Sequence, residues 1–287
     1  IYRYGKAVKS HMMIQQAAYL NKNKLSTSRD IFRSLQNILY ANELNSLGST
    51  QPRPSFSWYP ETEFCYMTNK SGFFIATKGG YNNESHNHND LGTFSLYINN
   101  TPILIDAGVG TYTRQTFSSE RYAIWTMQSK YHNLPTINGV PQAFGSQYKA
   151  MNTSFNPKKM SFSTDIARAY PEEARVKRWV RSYSLSNDKV LIQDDFSLEE
   201  ATHANEVHFL TWGDIDTSEK GKVKIQVENQ KALLSYDKND FDVSLETIQL
   251  DDPRLSNVWG NEIYRLTLAA KKTNKRGTYR YTVQQVK

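Results

Sequence analysis

The sequence predicts a mainly β protein: a large antiparallel β-sandwich preceded by a short helical hairpin. Hydrophobic spacing changes from a helical to an alternating period near residue 50. A series of short alternating runs follows, separated by turn residues. Aromatic residues make up 13% of the chain, with 18 tyrosines, a composition suited to pleated, half-buried surfaces.

The helical part comes first. Lys6–Tyr19 carries Ala7, Val8, Met12, Met13, Ala17 and Ala18 with no proline or glycine. In Leu25–Gly48, Thr27 or Ser28 is placed to cap a helix, with Asp30 in its first turn. Ile31, Leu35, Ile38, Leu39 and Leu44 recur at helical spacing, and Gly48 suits a C-terminal stop. Gln51-Pro52-Arg53-Pro54-Ser55 then reads as a breaker-rich linker. The expected division is a helical segment over 1–50 and a β domain over 51–287.

Strands are expected at Gly72–Lys78, Thr93–Asn99, Pro102–Asp106, Ser161–Ala169, Val176–Leu185 and Lys189–Phe196. Further strands are expected at Glu206–Trp212, Lys222–Glu228, Ala232–Tyr236, Asp242–Ile248, Ile263–Ala269 and Thr278–Gln284. Asn99-Asn100, Asn187-Asp188 and Asn274–Gly277 read as hairpin turns. So many strands with little intervening helix point to a sandwich. Trp179, Trp212 and Trp259 are assigned to core or sheet surface, His203 and His208 to sheet positions. Asp194-Asp195 and Asp251-Asp252-Pro253 read as loop or strand-end charges.

Bulk properties narrow the partners. The net charge is +7 and the pI about 9.2, which suits an acidic polymer. Uninterrupted basic runs stay short and no nucleic-acid motif appears, so nucleic acid is not the expected partner. No apolar stretch reaches 18 residues, so no membrane-spanning helix is expected. Cys65 is the single cysteine, which excludes an intrachain disulfide. Starting at Ile1, the chain reads as a mature, processed or cut form.

Residues 79–139 concentrate the chemistry. Three of the six histidines, His86, His88 and His132, lie here. The apolar run Ile103-Leu104-Ile105 ends in Asp106, which places a carboxylate at the rim of the core, where it needs a cation or strong hydrogen bonds. Two imidazoles and a carboxylate form a good zinc shell. Residue types alone leave open a hydrogen-bonded histidine pair and a simple turn after a strand.

Gly79–Asn89 with Leu91-Gly92-Thr93-Phe94, then Leu104-Ile105-Asp106-Ala107-Gly108, then Tyr131-His132-Asn133, resembles the C-terminal region of heparinase II/III-type polysaccharide lyases. Alginate lyases of related architecture share the pattern. The motif is specific: His-x-His, an Asp eighteen residues after the second His, and a later His-Asn. The resemblance implies zinc held by His88, Asp106 and His132, with His86 in the substrate cleft. It implies an α/α toroid before the sandwich, of which the N-terminal helices would be the end. The toroid would supply the principal catalytic tyrosine and an Asn or His for the uronate carboxylate. It also implies a periplasmic or secreted bacterial location.

Such lyases cleave uronate polymers by β-elimination. A base takes the C5 proton, an acid protonates the departing O4, and the neutralised carboxylate stabilises the enolate. His86 is the expected participant in this chain. Tyr112 and Tyr122 are candidates for proton transfer, Arg114 and Arg121 for acidic groups, Asn87 and Asn89 for sugar hydroxyls or for holding the turn. Zinc is expected to be structural, pinning three segments at the cleft edge. His86 is expected to face an open cleft and leave the metal to His88. One alternative is a non-catalytic, metal-stabilised carbohydrate-binding or structural module. A cupin-like metal enzyme is disfavoured, because Gly92 and Thr93 stand where its motif needs a glutamate.

Overall fold

A computed structural model describes residues 1–21, 29–48 and 54–286. The chain divides into two compact units, Ile1–Pro54 and Ser55–Lys287. The expected Thr27 or Ser28 cap and most of the linker at 51–55 lie outside the described residues.

Among the described residues, the first unit holds three helices rather than a hairpin of two: α1 (Tyr2–Ala7), α2 (His11–Leu20) and α3 (Ile31–Ser46). The expected helix over Lys6–Tyr19 is broken because the Ser10 side chain accepts from the Met13 N–H and starts α2 afresh. Asp30 caps α3 by accepting from Arg33, one position outside the helix rather than within its first turn. Leu47, rather than Gly48, is the C-terminal cap. Tyr2 and Lys6 both donate to Glu43, joining α1 to α3. No residue of α3 is buried, and Ile31, Phe32, Ile38 and Leu39 are each at least 60% exposed.

The second unit begins with β1 (Phe56–Tyr59), β2 (Phe64–Thr68), β3 (Phe73–Lys78), β4 (Tyr81–Asn82), β5 (Phe94–Ile98) and β6 (Thr101–Leu104). A succession of short 3-10 turns covers Gln115–Tyr131. Then come β7 (Pro135–Thr136), β8 (Gly145–Lys149), β9 (Met151–Asn156), β10 (Ser161–Asp165), β11 (Val176–Leu185) and β12 (Lys189–Leu198). The rest is β13 (Glu206–Thr211), β14 (Asp214–Asp216), β15 (Lys222–Val227), β16 (Gln230–Tyr236), β17 (Phe241–Gln249), helix α4 (Pro253–Trp259), β18 (Glu262–Ala270) and β19 (Arg276–Val286).

The strands form an antiparallel sandwich. A broad sheet runs β14-β15-β16-β19-β12-β11-β10-β9. Sheets of order β1-β2-β3-β5-β6 and β17-β18-β13-β7 share one apolar core with it. Phe94 of the first small sheet meets Tyr183 at 5.2 Å, and Phe209 of the second meets Tyr281 at 5.5 Å. Alternation along β12 and β15 buries every second side chain, as a sheet with one covered face requires. Trp179 is fully buried, in agreement with its assignment to the core.

The turns differ in fate. Asn99 and Asn100 both adopt positive φ, 50° and 68°, and join β5 to β6 as a tight hairpin. Asn187-Asp188 likewise joins β11 to β12. Asn274–Gly277 is not a hairpin turn, because β18 and β19 belong to different sheets and the chain crosses between them. The strand expected over Ser161–Ala169 ends at Asp165, whose carboxylate accepts from the N–H groups of Ala167 and Trp179 and starts a 3-10 turn. Asn138-Gly139 makes a further tight turn between Ile137 and Val140. The buried Asn138 side chain donates to the carbonyls of Ala174 and Glu200 and accepts from the N–H groups of Thr202 and His203.

Asp194 is not a loop charge. It sits in mid-strand opposite Arg181, both fully buried, with Arg181 Nε 3.2 Å from Asp194 Oδ1. Trp179 Nε1 donates to the same carboxylate, and Arg181 Nη1 donates to the Asn133 carbonyl at 2.7 Å.

Candidate metal centre and cleft

Three loops at the ends of the small sheets converge on Asp106. Ile105 donates its N–H to Leu210, the last tie between the end of β6 and β13, and Asp106 follows as the chain leaves the sheet. The Gly108 N–H donates to Asp106 Oδ1 at 2.7 Å. Gly108 has φ +79°, a left-handed conformation that glycine adopts without strain. The 3-10 turns bring His132 to the other carboxylate oxygen, with Nδ1 3.0 Å from Asp106 Oδ2. Asn133 fixes the junction: its amide donates to the carbonyls of Phe94 and Ile105 and accepts from the Leu210 N–H. His88 arrives from the loop between β4 and β5, where the Asn89 N–H donates to the Met127 carbonyl. Its ring lies 5.3 Å from that of His132.

Four residues therefore gather: His88, Asp90, Asp106 and His132 each offer a ligand atom, all within 4.8 Å of one another. Three were singled out from the sequence. Asp90 was not, although its place two positions after His88 is the signal that could have found it. One Asp90 oxygen is 2.9 Å from Nζ of the buried Lys78, which also lies 3.6 Å from Glu84.

The donor set fits a divalent cation such as zinc. Nε2 of His132 lies 3.1 Å from the Thr126 carbonyl, an acceptor, so it carries a proton and leaves Nδ1 facing the Asp106 carboxylate. Between those two atoms there must be either a second ring proton or a cation. Burial pushes the Asp106 carboxyl up, but His132, His88 and the Gly108 N–H outweigh it and hold its pKa well below the usual carboxylate range. Burial lowers His132, but Asp106 more than restores it and the net shift is upward. His88 is shifted down by burial and by His132, which keeps its imidazole neutral and ready to ligate.

His86, Asn87, His88 and Asp106 line one pocket together with Lys78 and Glu84. His86 is exposed and has φ +60°, so the segment is not extended and His86 and His88 do not share a strand face. His86 is not among the four clustered ligand residues. Its Nδ1 lies 3.4 Å from the Tyr112 hydroxyl. Tyr122 and Arg121 are turned to a different task. The Tyr122 hydroxyl donates to Asn87 Oδ1 at 2.9 Å, and its ring stacks on Phe144 at 4.5 Å. Arg121 donates to the carbonyls of Asn87 and Thr116 at 3.0 and 2.9 Å. Both hold the backbone between the two histidines. Asn89 is buried, with its amide toward the Gln142 carbonyl. Arg114 is exposed at the start of a 3-10 turn and does not line the pocket.

The profile of the heparinase II/III-like C-terminal family matches residues 51–259. The chain belongs to that family. Solved structures give the same fold. A heparan sulfate lyase from Pedobacter heparinus is 19% identical with a TM-score of 0.64, over 89% of this chain and 40% of its own. A heparinase III structure is 16% identical with a TM-score of 0.62, over 98% and 48%. A chondroitin AC lyase from Streptomyces coelicolor A3 is 9% identical with a TM-score of 0.51, over 94% and 38%. The chain thus spans less than half the length of these heparinase II/III-like and related lyases. No curated protein sequence matches it.

Proposed function

We propose that this chain is the C-terminal part of a polysaccharide lyase that cleaves a uronate-containing acidic polysaccharide, heparin- or heparan sulfate-like or alginate-like, by β-elimination. The observation that carries the reading is the pocket that His86 shares with His88 and Asp106, with the buried His132 3.0 Å from Asp106. In this reading zinc is held by His88, Asp106 and His132. When bound it supplies fixed positive charge and links three segments distant in sequence.

His86, exposed and lining the pocket, is placed to donate to a uronate carboxylate or to take a proton. The Tyr112 hydroxyl beside its Nδ1 continues the proton path. Arg121 and Tyr122 hold Asn87, and through it the backbone that aims both histidines. The base at C5 and the remaining carboxylate contacts come from an α/α toroid, the partner whose last helices are α1–α3. The apolar side chains exposed on α3 support that role, since an uncovered apolar stripe on a helix marks a face that packs elsewhere. A periplasmic or secreted location belongs to the same reading.

The test is turnover of uronate polymers by the full-length protein, followed by the absorbance of the unsaturated product. His86→Ala is expected to lower kcat by about 10²-fold, a typical contribution of an acid–base group, with zinc content unchanged. A wild-type protein that releases no unsaturated product from any uronate polymer overturns the reading and favours a metal-stabilised binding module.

A further inference from the structure

Beside the metal pocket lies a row of rings with a basic roof. The His86 ring is 6.0 Å from Tyr112, and Tyr112 is 5.6 Å from Phe117, which is 71% exposed. The guanidinium of Arg254 sits over the Tyr112 ring at 5.1 Å. Arg254 comes from α4, more than a hundred residues further along the chain.

Its placement is built, not incidental. The Asp252 side chain caps α4 by accepting from the Arg254 N–H. It also accepts from the N–H and hydroxyl of Thr111, next to Tyr112. Leu255 is buried against Ile105 and Ala107, on either side of Asp106. Trp259 Nε1 donates to the Ala107 carbonyl at 3.0 Å. The segment that delivers Asp106 and Tyr112 therefore also carries α4.

The guanidinium itself is exposed and, among the described residues, makes no hydrogen bond or ion pair. Held over a ring and unpaired, it keeps its fork of N–H donors, which matches a planar or tetrahedral oxyanion. A cation–π contact of this kind restrains the side chain before binding, which lowers the entropy lost on contact.

We infer that Arg254 is a specificity-determining residue, binding a sulfate or carboxylate on the sugar adjacent to the one at His86. The inference takes its substrate class from the lyase reading, but the contact is one of binding and needs no chemistry.

The test uses the zinc-loaded full-length protein and titration calorimetry with a sulfated uronate oligosaccharide and its desulfated counterpart. Arg254→Ala is compared with Lys220→Ala, which removes the same charge from the exposed turn between β14 and β15. We expect Arg254→Ala to weaken binding of the sulfated ligand tenfold or more, and Lys220→Ala less than twofold. Loss confined to the sulfated ligand identifies sulfate as the oxyanion; equal loss with both identifies carboxylate. In turnover the same substitution should raise KM with kcat held. Equal effects of the two substitutions, or a wild-type protein that binds neither ligand, overturn the inference. Arg254-dependent binding without any turnover supports it and overturns the lyase chemistry alone.

Discussion

Nδ1 of His132 and Oδ2 of Asp106 face each other across 3.0 Å, although the ring's other nitrogen is already committed as a donor to a backbone carbonyl. Without a cation the ring holds a second proton, and a metal ion bound at the cluster would replace that proton. Metal uptake near neutral pH is therefore expected to release protons, measurable as a dependence of binding enthalpy on the buffer's ionisation enthalpy. The pKa of His132 is raised in the metal-free fold above its ordinary 6.5. Its contribution to stability is then complete below about 6.5, the unfolded value, and lost as pH rises through the raised folded value. Zinc should add most stability above that window: about 2.7 kcal/mol when free metal is 100 times Kd. Thermal unfolding with and without chelator checks this. Identical curves across pH 6–8 would remove the metal from the account.

The Arg121 fork joins two backbone carbonyls that a lysine ammonium cannot hold in the same plane. Arg121→Lys in the full-length protein is expected to lower kcat/KM about tenfold, equivalent to about 1.4 kcal/mol in the barrier. Tyr122→Phe removes a single hydrogen bond and should cost less. Zinc content, measured in parallel, should be unchanged in both. Loss of metal would instead mean that the Asn87 segment secures His88 rather than the cleft.

Arg181 and Asp194 have no access to solvent. Replacing one of them leaves the other charge buried alone, so Arg181→Met or Asp194→Asn should each destabilise by about 3–5 kcal/mol. The double replacement Arg181→Met/Asp194→Leu should lose far less than the sum. Urea unfolding of the three variants tests the coupling. Additive losses would show that the two side chains do not act as a pair.

His208 sits between the hydroxyls of Thr136 and Thr267, at 2.8 and 3.0 Å. Burial, followed by Arg265, Lys130 and Arg181, lowers its pKa to about 3. The Glu206 carboxylate 3.6 Å away is 43% exposed, and solvent screens it. A depressed value means that the stabilising neutral form is fully present above about 6.5 and is lost as pH falls toward 3. Over that window stability should fall by up to about 1.4 kcal/mol per pH unit from this group alone. His208→Gln should flatten the slope. An unchanged slope would assign the acid sensitivity to the carboxylates.

The strands with strict alternation, such as Lys189–Leu198, were legible because one face is covered by the core and the other is not. The polar edge strands Gly145–Lys149 and Met151–Asn156 were not, since an edge position buries too little to impose a pattern. Helix α4 was present in the Asp-Pro pair, a cap followed by a proline at the first position, but it was read as loop charge. At the site, His88, Asp106 and His132 were singled out through the family resemblance, and the fold gathers them. The clamp on Asn87 could not be read in this way, because Arg121 and Tyr122 resemble any other surface residues until the fold brings them 34 and 35 positions back along the chain. The same holds for Arg254 over Tyr112.

Asn138 precedes Gly139 at a tight turn, the dipeptide in which asparagine ages fastest, because glycine leaves its N–H unhindered for attack on the side-chain amide. Here that amide is immobilised by four backbone groups, from Ala174, Glu200, Thr202 and His203. Cyclisation requires all of them to let go. Deamidation at this one position is therefore a slow clock of local opening. In a stored sample, isoaspartate at residue 138 would report the cumulative time spent locally open, the open fraction multiplied by the age of the preparation.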